Sequence, residues 1–349
     1  MRRQVLRLLA IALAVHAGVS AAAAPLCHHS SAAAPALVRL REALAHGRFV
    51  AYQPTALKVV DGRFSNADPA SIRADLEVLR GHFDSLVTYD AVHGAQEIAP
   101  IAAALKFRAL IIGVWEPADA AQVGAALDAA RRFPQLVVGV SLGNEALFAK
   151  RADAPQLLAA IARVRAQAPQ LPLTTSEPFH LFEASPGDAL LGQLDFLLVN
   201  VHPVFQPWFR GATEATAAQF VVNVAEQLAR DYCGPILVKE TGEPTAPASG
   251  GYSSARQASF YKELRQRLPP GPMRAFTYFA AFDAPWREQD ATGVPGPHPE
   301  ESHWGLFDAE RRSKPAAEQL PPLPPPRCGK TPSSAPASRR AAAGSRRRQ

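Results

Sequence analysis

Eight short apolar runs, each separated from the next by a stretch of helical periodicity, constrain this chain more than any other feature. The runs fall at residues 49–52, 86–89, 109–115, 136–141, 173–176, 196–201, 236–240 and 275–279. Most are apolar and β-branched or aromatic, without polar alternation, as strands covered on both faces read. Helical patterns fill the gaps at 72–79, 96–105, 120–132, 154–166, 184–194, 217–229 and 255–268, with a last one at 314–319. Asp68-Pro69 opens the first of these with a capping residue followed by proline at the first helical position. Eight repeats of strand and helix predict an α/β fold, a single (β/α)8 barrel rather than an open doubly wound sheet. No glycine-rich phosphate loop follows the first run, which argues against a dinucleotide-binding fold.

In such a barrel, functional side chains collect just after the strands, on the face where their C-terminal ends open. The residues at those positions form a ring of aromatics and carboxylates: Tyr52, Tyr89-Asp90, Trp115-Glu116, Asn144-Glu145, Glu177, His202, Glu240, and Asp283 with Trp286. A carboxylate at the mouth of a buried strand is costly unless it is hydrogen-bonded or catalytic. Glu145, in Gly143-Asn144-Glu145, and Glu240, in Lys239-Glu240-Thr241-Gly242, each close an apolar run. Two such groups on separate strands point to acid/base work on an acetal. The surrounding ring suits a sugar, because aromatic faces pack on its C–H surfaces while carboxylates and amides bond its hydroxyls.

Composition bounds the rest. The chain opens with Arg2-Arg3, an apolar run from Leu8 to Val15 and alanines to Ala24, the layout of a secretory signal peptide cleaved near 22–24. That run is short for a membrane span, and an uncleaved anchor is the weaker alternative. The formal charge of +6 comes from the ends. Seven basic residues and no acid lie from Gln319 onward, and three arginines lie in the leader, so the remainder is mildly acidic. The basic balance therefore gives no reason to expect a nucleic-acid partner. The expected organisation is a signal peptide at 1–24, a linker at 25–34, the barrel at 35–320 and a disordered Pro/Arg-rich tail at 321–349 that can touch an anionic surface. A periplasmic or extracellular location follows. Three cysteines define no framework. Cys27 and Cys328 flank the barrel and are candidates to pair in an oxidising compartment, leaving Cys233 as a lone core thiol. Cys27-His28-His29 is weak as a metal site, and neither a metal nor an organic cofactor is expected.

Three motifs carry a family resemblance. They are Gly143-Asn144-Glu145, then Glu240-Thr241-Gly242 with Pro244, and then Ala281-Phe282-Asp283 with Pro285-Trp286 and Glu301-Ser302-His303-Trp304-Gly305-Leu306-Phe307. In this order, over roughly residues 49–307, the chain resembles glycoside hydrolase family 17, the β-1,3-glucanases and glucanosyltransferases. The resemblance implies retaining double displacement on β-1,3-glucan, by hydrolysis or by transfer. Glu145 would be the general acid/base, and Glu240 the nucleophile at roughly 5–5.5 Å from it. Asn144 would bond the 2-hydroxyl of the reacting sugar. Tyr52 and Tyr89 are candidates to line the reacting-sugar site, Trp115 to bind the substrate, and Phe205, Trp208 and Trp286 to act as sugar platforms. His202 is placed beside the nucleophile and Glu301 near the substrate. Asp90 and Glu177 are candidates for hydroxyl contacts at distal subsites.

The chain also departs from the family pattern. Glu243 stands where the family has Trp, Val87 where the second strand has Arg, Ala284 where plant members have Glu, and Arg287 where they have Lys. These departures touch the subsites and an ion pair near the nucleophile, and leave the two glutamates in place. They also keep open a second reading, a non-catalytic glucan-binding or assembly protein on a retained barrel. Endo versus exo action and hydrolysis versus transfer stay open.

Overall fold

A computed structural model describes residues 24–60, 63–183, 187–289 and 298–323. The leader except Ala24, the tail from residue 324 and Cys328 lie outside the described residues. Eight parallel strands close into a barrel: β1 (Phe49–Ala51), β2 (Ser85–Val87), β3 (Ala109–Val114), β4 (Val137–Asn144), β5 (Leu173–Pro178), β6 (Leu197–Asn200), β7 (Ile236–Glu240) and β8 (Arg274–Tyr278). Each pairs with its sequence neighbours, and Phe49 facing Thr277 closes the ring. This is the expected (β/α)8 architecture.

The helices are α1 (Ala34–His46), α2 (Pro69–Arg80), α3 (Ile98–Ala104), α4 (Ala120–Arg132), α5 (Ala154–Gln167), α6 (His180–Glu183), α7 (Gly187–Leu191), α8 (Glu214–Asp231), α9 (Ser254–Arg267) and α10 (Pro315–Glu318). Asp68 caps α2 by accepting from Ser71 N at 2.8 Å, ahead of Pro69, as its dipeptide suggests. The helix expected at 96–105 begins as a 3-10 turn over Ala95–Glu97. The one expected at 184–194 is replaced by the shorter α6 and α7.

Period-two alternation divides each strand between two cores. Val50, Leu86, Leu110, Ile112, Val199 and Val238 face outward into the layer under the helices. Phe49, Val87, Ile111, Leu198, Leu237 and Ala275 face the barrel interior. That interior is stoppered by α1, whose Leu40 and Leu44 are fully buried against it. Each such leucine contributes about 1.5–3 kcal/mol. The helix α1 has no counterpart in the sequence expectations.

Residues 25–34, expected as a linker, lie against the barrel. Leu26 N donates to Asp231 O at 2.8 Å, Cys233 N to Leu26 O at 3.1 Å and His28 N to Leu194 O at 2.9 Å. A disulfide joins Cys27 to Cys233, with a Cα separation of 5.5 Å. This corrects the expected Cys27–Cys328 pairing and the free thiol at Cys233. The backbone bonds of residues 26–28 bring Cys27 beside the start of β7, a proximity that spacing along the chain does not reveal.

Candidate active site

Two irregularities of strand register build the mouth of the barrel. Ser141 pairs with Thr174, but Asn144 pairs with Ser176, so β4 carries one extra residue as a bulge. Gly143 bears it with φ of +90°, a conformation glycine takes at little cost, and a Cβ there would lie 3.1 Å from Ala146 Cβ. Glu145 follows at φ of +52°. A non-glycine residue there carries strain of about 1 kcal/mol or more, and its amide is held by Ser176 O at 2.7 Å.

The second slip is in β7, where Val238 pairs with Val199 but Glu240 with Asn200. Lys239 is the extra residue. Regular alternation would send Lys239 and Glu240 to opposite faces, whereas the bulge brings both side chains into the mouth. Lys239 is 1% and Glu240 5% exposed. Lys239 Nζ donates to Glu240 Oε1 at 3.0 Å, to Ser176 Oγ at 3.2 Å and to Asn144 Oδ1, and lies 4.0 Å from the centre of the Tyr89 ring. His202 Nε2 is 3.5 Å from the other oxygen of Glu240. Asn200 Nδ2 donates to Glu145 Oε1 at 2.8 Å. Asn200, the cross-strand partner of Glu240, thus holds the other acid. Gly242 lets the chain turn away tightly: a Cβ there would meet Tyr261 Oη at 2.5 Å and Phe279 O at 2.7 Å.

The two carboxyls are driven in opposite directions. Burial and then the charge of Glu240 push Glu145 above the ordinary carboxylate range, against the Asn200 hydrogen bond. Burial alone would raise Glu240 too. Lys239, His202 and Arg287 overcome it and hold Glu240 well below that range. Tyr89 is pushed far up, by burial first and by Glu240 second.

Glu145, Glu240, Asn144, Tyr89 and His202 therefore lie around one mouth. Trp304 and Phe279 close the wall beside them, their rings 5.3 and 5.4 Å from that of His202. Phe205 stands on the same wall, 5.3 Å from His202 and 58% exposed. Trp208 is exposed further out, against Phe220. Trp115 lies under the Arg151 guanidinium at 4.6 Å, and Arg151 also pairs with Glu116. Trp286, Tyr89 and Arg287 line a small cleft between the β1 and β8 loops. Glu301 pairs with Arg287 at 3.8 Å, which places it one residue from the site.

Tyr52 is not brought to the site. It falls on the outward-facing phase of β1, is fully buried, and donates to Asp75 Oδ2 at 2.8 Å beneath α2. Glu177 and Asp90 also serve the scaffold. Glu177 is fully buried and accepts from the amides of Leu147 and Phe148 at 3.0 and 3.3 Å, with burial pushing it up to about 7. Asp90 holds His93 Nδ1 at 2.6 Å and the amides of Ala91 and Val92. Asp283 accepts from Lys314 and from Gly305 N. Glu243 is fully buried, 3.4 Å from Arg256, so its position offers no surface to a sugar. The ion pair left in doubt by Val87 is supplied from β7 by Lys239.

Sequence reasoning gave no site role to Asn200 and Ser176, quoted Lys239 only as the neighbour of Glu240, and named Arg287 only as a departure from the family pattern. Lys239 and Asn200 directly adjoin or closely precede motif residues, but only the β7 bulge reveals that Lys239 and Glu240 turn into the mouth together. Among the described residues, Cys27, His29 and Cys233 have metal-ligand proximity, with ligand atoms within 4.8 Å of one another. Their sulfurs are joined to each other, at the opposite end of β7 from Glu240.

Residues 50–305 match the family model described as the BtgE/BtgC glycoside hydrolase domain. A glucan 1,3-beta-glucosidase of Arthroderma benhamiae is 29% identical over 269 residues, covering 71% of this chain and 84% of that protein. A probable beta-glucosidase btgE of Aspergillus clavatus is 28% identical over 253 residues, covering 69% of this chain and 42% of that protein. The chain spans less than half the length of that second relative. The fold resembles that of the glycoside hydrolase family 17 beta-1,3-glucanosyltransferase from Rhizomucor miehei, with a TM-score of 0.58 and 20% identity, covering 77% of this chain and 95% of that one. It likewise resembles an endo-laminarinase from Formosa Hel1_33_131, with a TM-score of 0.59 and 18% identity, covering 75% and 83%. With nearly the whole barrel and both Glu145 and Glu240 inside the matched residues, the chain belongs to the BtgE/BtgC glycoside hydrolase domain family.

Proposed function

We propose that this chain is a retaining glycoside hydrolase acting on β-1,3-glucan, with Glu240 as nucleophile and Glu145 as general acid/base. The placement of both acids at one barrel mouth, with Asn200 bonding Glu145 and with Lys239 and His202 against Glu240, carries the reading. A nucleophile must be ionised and an acid protonated at the same pH, and burial with unequal neighbours separates them in that sense. In the first step an oxygen of Glu240 bonds the anomeric carbon, the glycosidic C–O bond breaks, and the Glu145 proton passes to the leaving oxygen. In the second, water gives a proton to Glu145, bonds the anomeric carbon and frees the Glu240 carboxylate. A sugar hydroxyl in place of water makes the same step a transfer.

The substrate assignment is supported by the names of the similar proteins, a glucan 1,3-beta-glucosidase, a beta-1,3-glucanosyltransferase and a laminarinase. Exposed Phe205 and Trp208 suit the faces of further glucose units. Export to an oxidising compartment is part of the proposal, supported by the leader-like layout of residues 1–24 and by the Cys27–Cys233 disulfide. Among the described residues no helix is long and apolar enough to cross a membrane.

The test is incubation with linear β-1,3-gluco-oligosaccharides of defined length, with products followed by mass. Shorter products, or shorter and longer ones together, are expected. Binding without any new product would contradict catalysis and leave the glucan-binding reading.

A further inference from the structure

Lys239 is buried in the barrel mouth, where an unpaired ammonium would be severely destabilising. Its three protons have three named acceptors: Glu240 Oε1 at 3.0 Å, Ser176 Oγ at 3.2 Å and Asn144 Oδ1. The Tyr89 ring covers it at 4.0 Å. The ammonium is therefore fixed in position, with the charge held between the ends of β4, β5 and β7.

Two consequences follow from that position. An ammonium only donates, so the Asn144 atom facing it is the oxygen, and the Asn144 NH2 group is left for a ligand. The second concerns charge. Beside Glu240, Lys239 completes an ion pair. When Glu240 becomes an ester that partner loses its charge, and Glu145 is the remaining acid acting on Lys239. A positive charge left there favours ionised Glu145 in the step in which Glu145 must take a proton from water.

Resting on the double displacement described above, we propose that Lys239 is a positioning residue. It locks the Asn144 amide with Nδ2 toward the sugar and supplies one buried charge that Glu240 and Glu145 neutralise in turn. The other groups that act on Glu240 are His202 at the end of β6, Arg287 in the turn after β8, Tyr89 beyond β2 and Glu145 beyond β4. Of the cations among these, Lys239 alone also holds Asn144 among the bonds described. Burial pushes Lys239 down and the charge of Glu240 pushes it back up, as a coupled pair requires.

The experiment compares the unsubstituted chain with Lys239→Met and Lys239→Arg on a β-1,3-gluco-oligosaccharide and on an aryl β-glucoside with a good leaving group. Thermal melts check folding. Lys239→Met should move the acid limb of kcat/KM up by about one pH unit or more. It should lower kcat on the oligosaccharide by about 100-fold with a much smaller change in KM. On the aryl glucoside it should give a burst followed by slow turnover, because the second step loses its support for ionised Glu145. Lys239→Arg, which keeps the charge, should keep the acid limb. If Lys239→Met does not fold, Lys239→Gln, which retains an N–H donor, carries the same test. A folded neutral variant with an unmoved acid limb and kcat within about threefold of the unsubstituted chain would overturn the proposal. No turnover by the unsubstituted chain would overturn the double displacement itself, and this proposal with it.

Discussion

Tyr52→Phe separates the scaffold from the site. The Tyr52 hydroxyl donates to Asp75 Oδ2 at 2.8 Å, fully buried, while its ring lies 6.3 Å from that of Phe282. A hydrogen bond to a charged acceptor contributes about 1.5–3 kcal/mol. Asp75 is not orphaned by the change, because it still accepts from Thr55 N at 2.9 Å, Thr55 Oγ1 at 2.7 Å and Arg311 Nε at 2.7 Å. The ring also stays, so no cavity opens beyond one oxygen. The loss should therefore sit at the low end, about 1.5 kcal/mol. For a domain of this size that lowers Tm by about 3 °C. Matched thermal melts read this change, and kcat and KM on a β-1,3-gluco-oligosaccharide should be unchanged. An unchanged Tm with a raised KM would refute the reasoning and return Tyr52 to the sugar-binding surface.

Three further outcomes are expected. Glu145→Gln should nearly stop cleavage of natural glucan while sparing glycosylation by aryl glucosides whose leaving groups need no proton; equal loss on both would contradict its role as acid. Burial pushes Glu243 up to about 7, partly offset by Arg256 and reinforced by Glu214. The native chain then holds a proton that the unfolded chain has released, so this contribution is full below about 4.5 and declines as pH climbs toward 7, by at most about 1.4 kcal/mol per pH unit. Glu243→Gln should remove the decline, so that its Tm gains on that of the unsubstituted chain between pH 5 and 8; parallel curves would contradict this. Replacing Cys27 and Cys233 together by Ser should lower stability by about 2 kcal/mol or more, measured by denaturant melts, with kcat unchanged because the bridge lies at the far end of β7; a large fall in kcat would contradict that separation.

The barrel was legible because strands buried on both faces are plain apolar runs, and the structure keeps Ile236–Glu240 where the sequence places it. The positions of Glu145 and Glu240 were legible for the related reason that acids at strand ends stand out against such runs. The helix α1 was not, because its exposed Val38 and its buried Leu40 and Leu44 mix on an alanine-rich stretch, and its burial depends on the open lower end of the barrel. Tyr52 was misplaced by a single step of alternation at the end of β1. Lys239 was not legible as a site residue because a bulge suspends alternation at the end of β7, where regular pairing would send only one of Lys239 and Glu240 into the mouth. Glu177 and Asp90 read as ligand carboxylates because a one-dimensional pattern does not show which acid is consumed by a loop's own amides.

Azide rescue tests the central claim most directly. Glu240→Ala, given an activated β-glucoside and azide, should recover turnover and yield the α-glycosyl azide, because the small anion enters from the face that the missing carboxylate occupied. Glu145→Ala treated in the same way should yield the β-azide, formed by attack on the glycosyl-enzyme. Rescue of neither variant, or the two anomers exchanged between them, would contradict the assignment of nucleophile and acid.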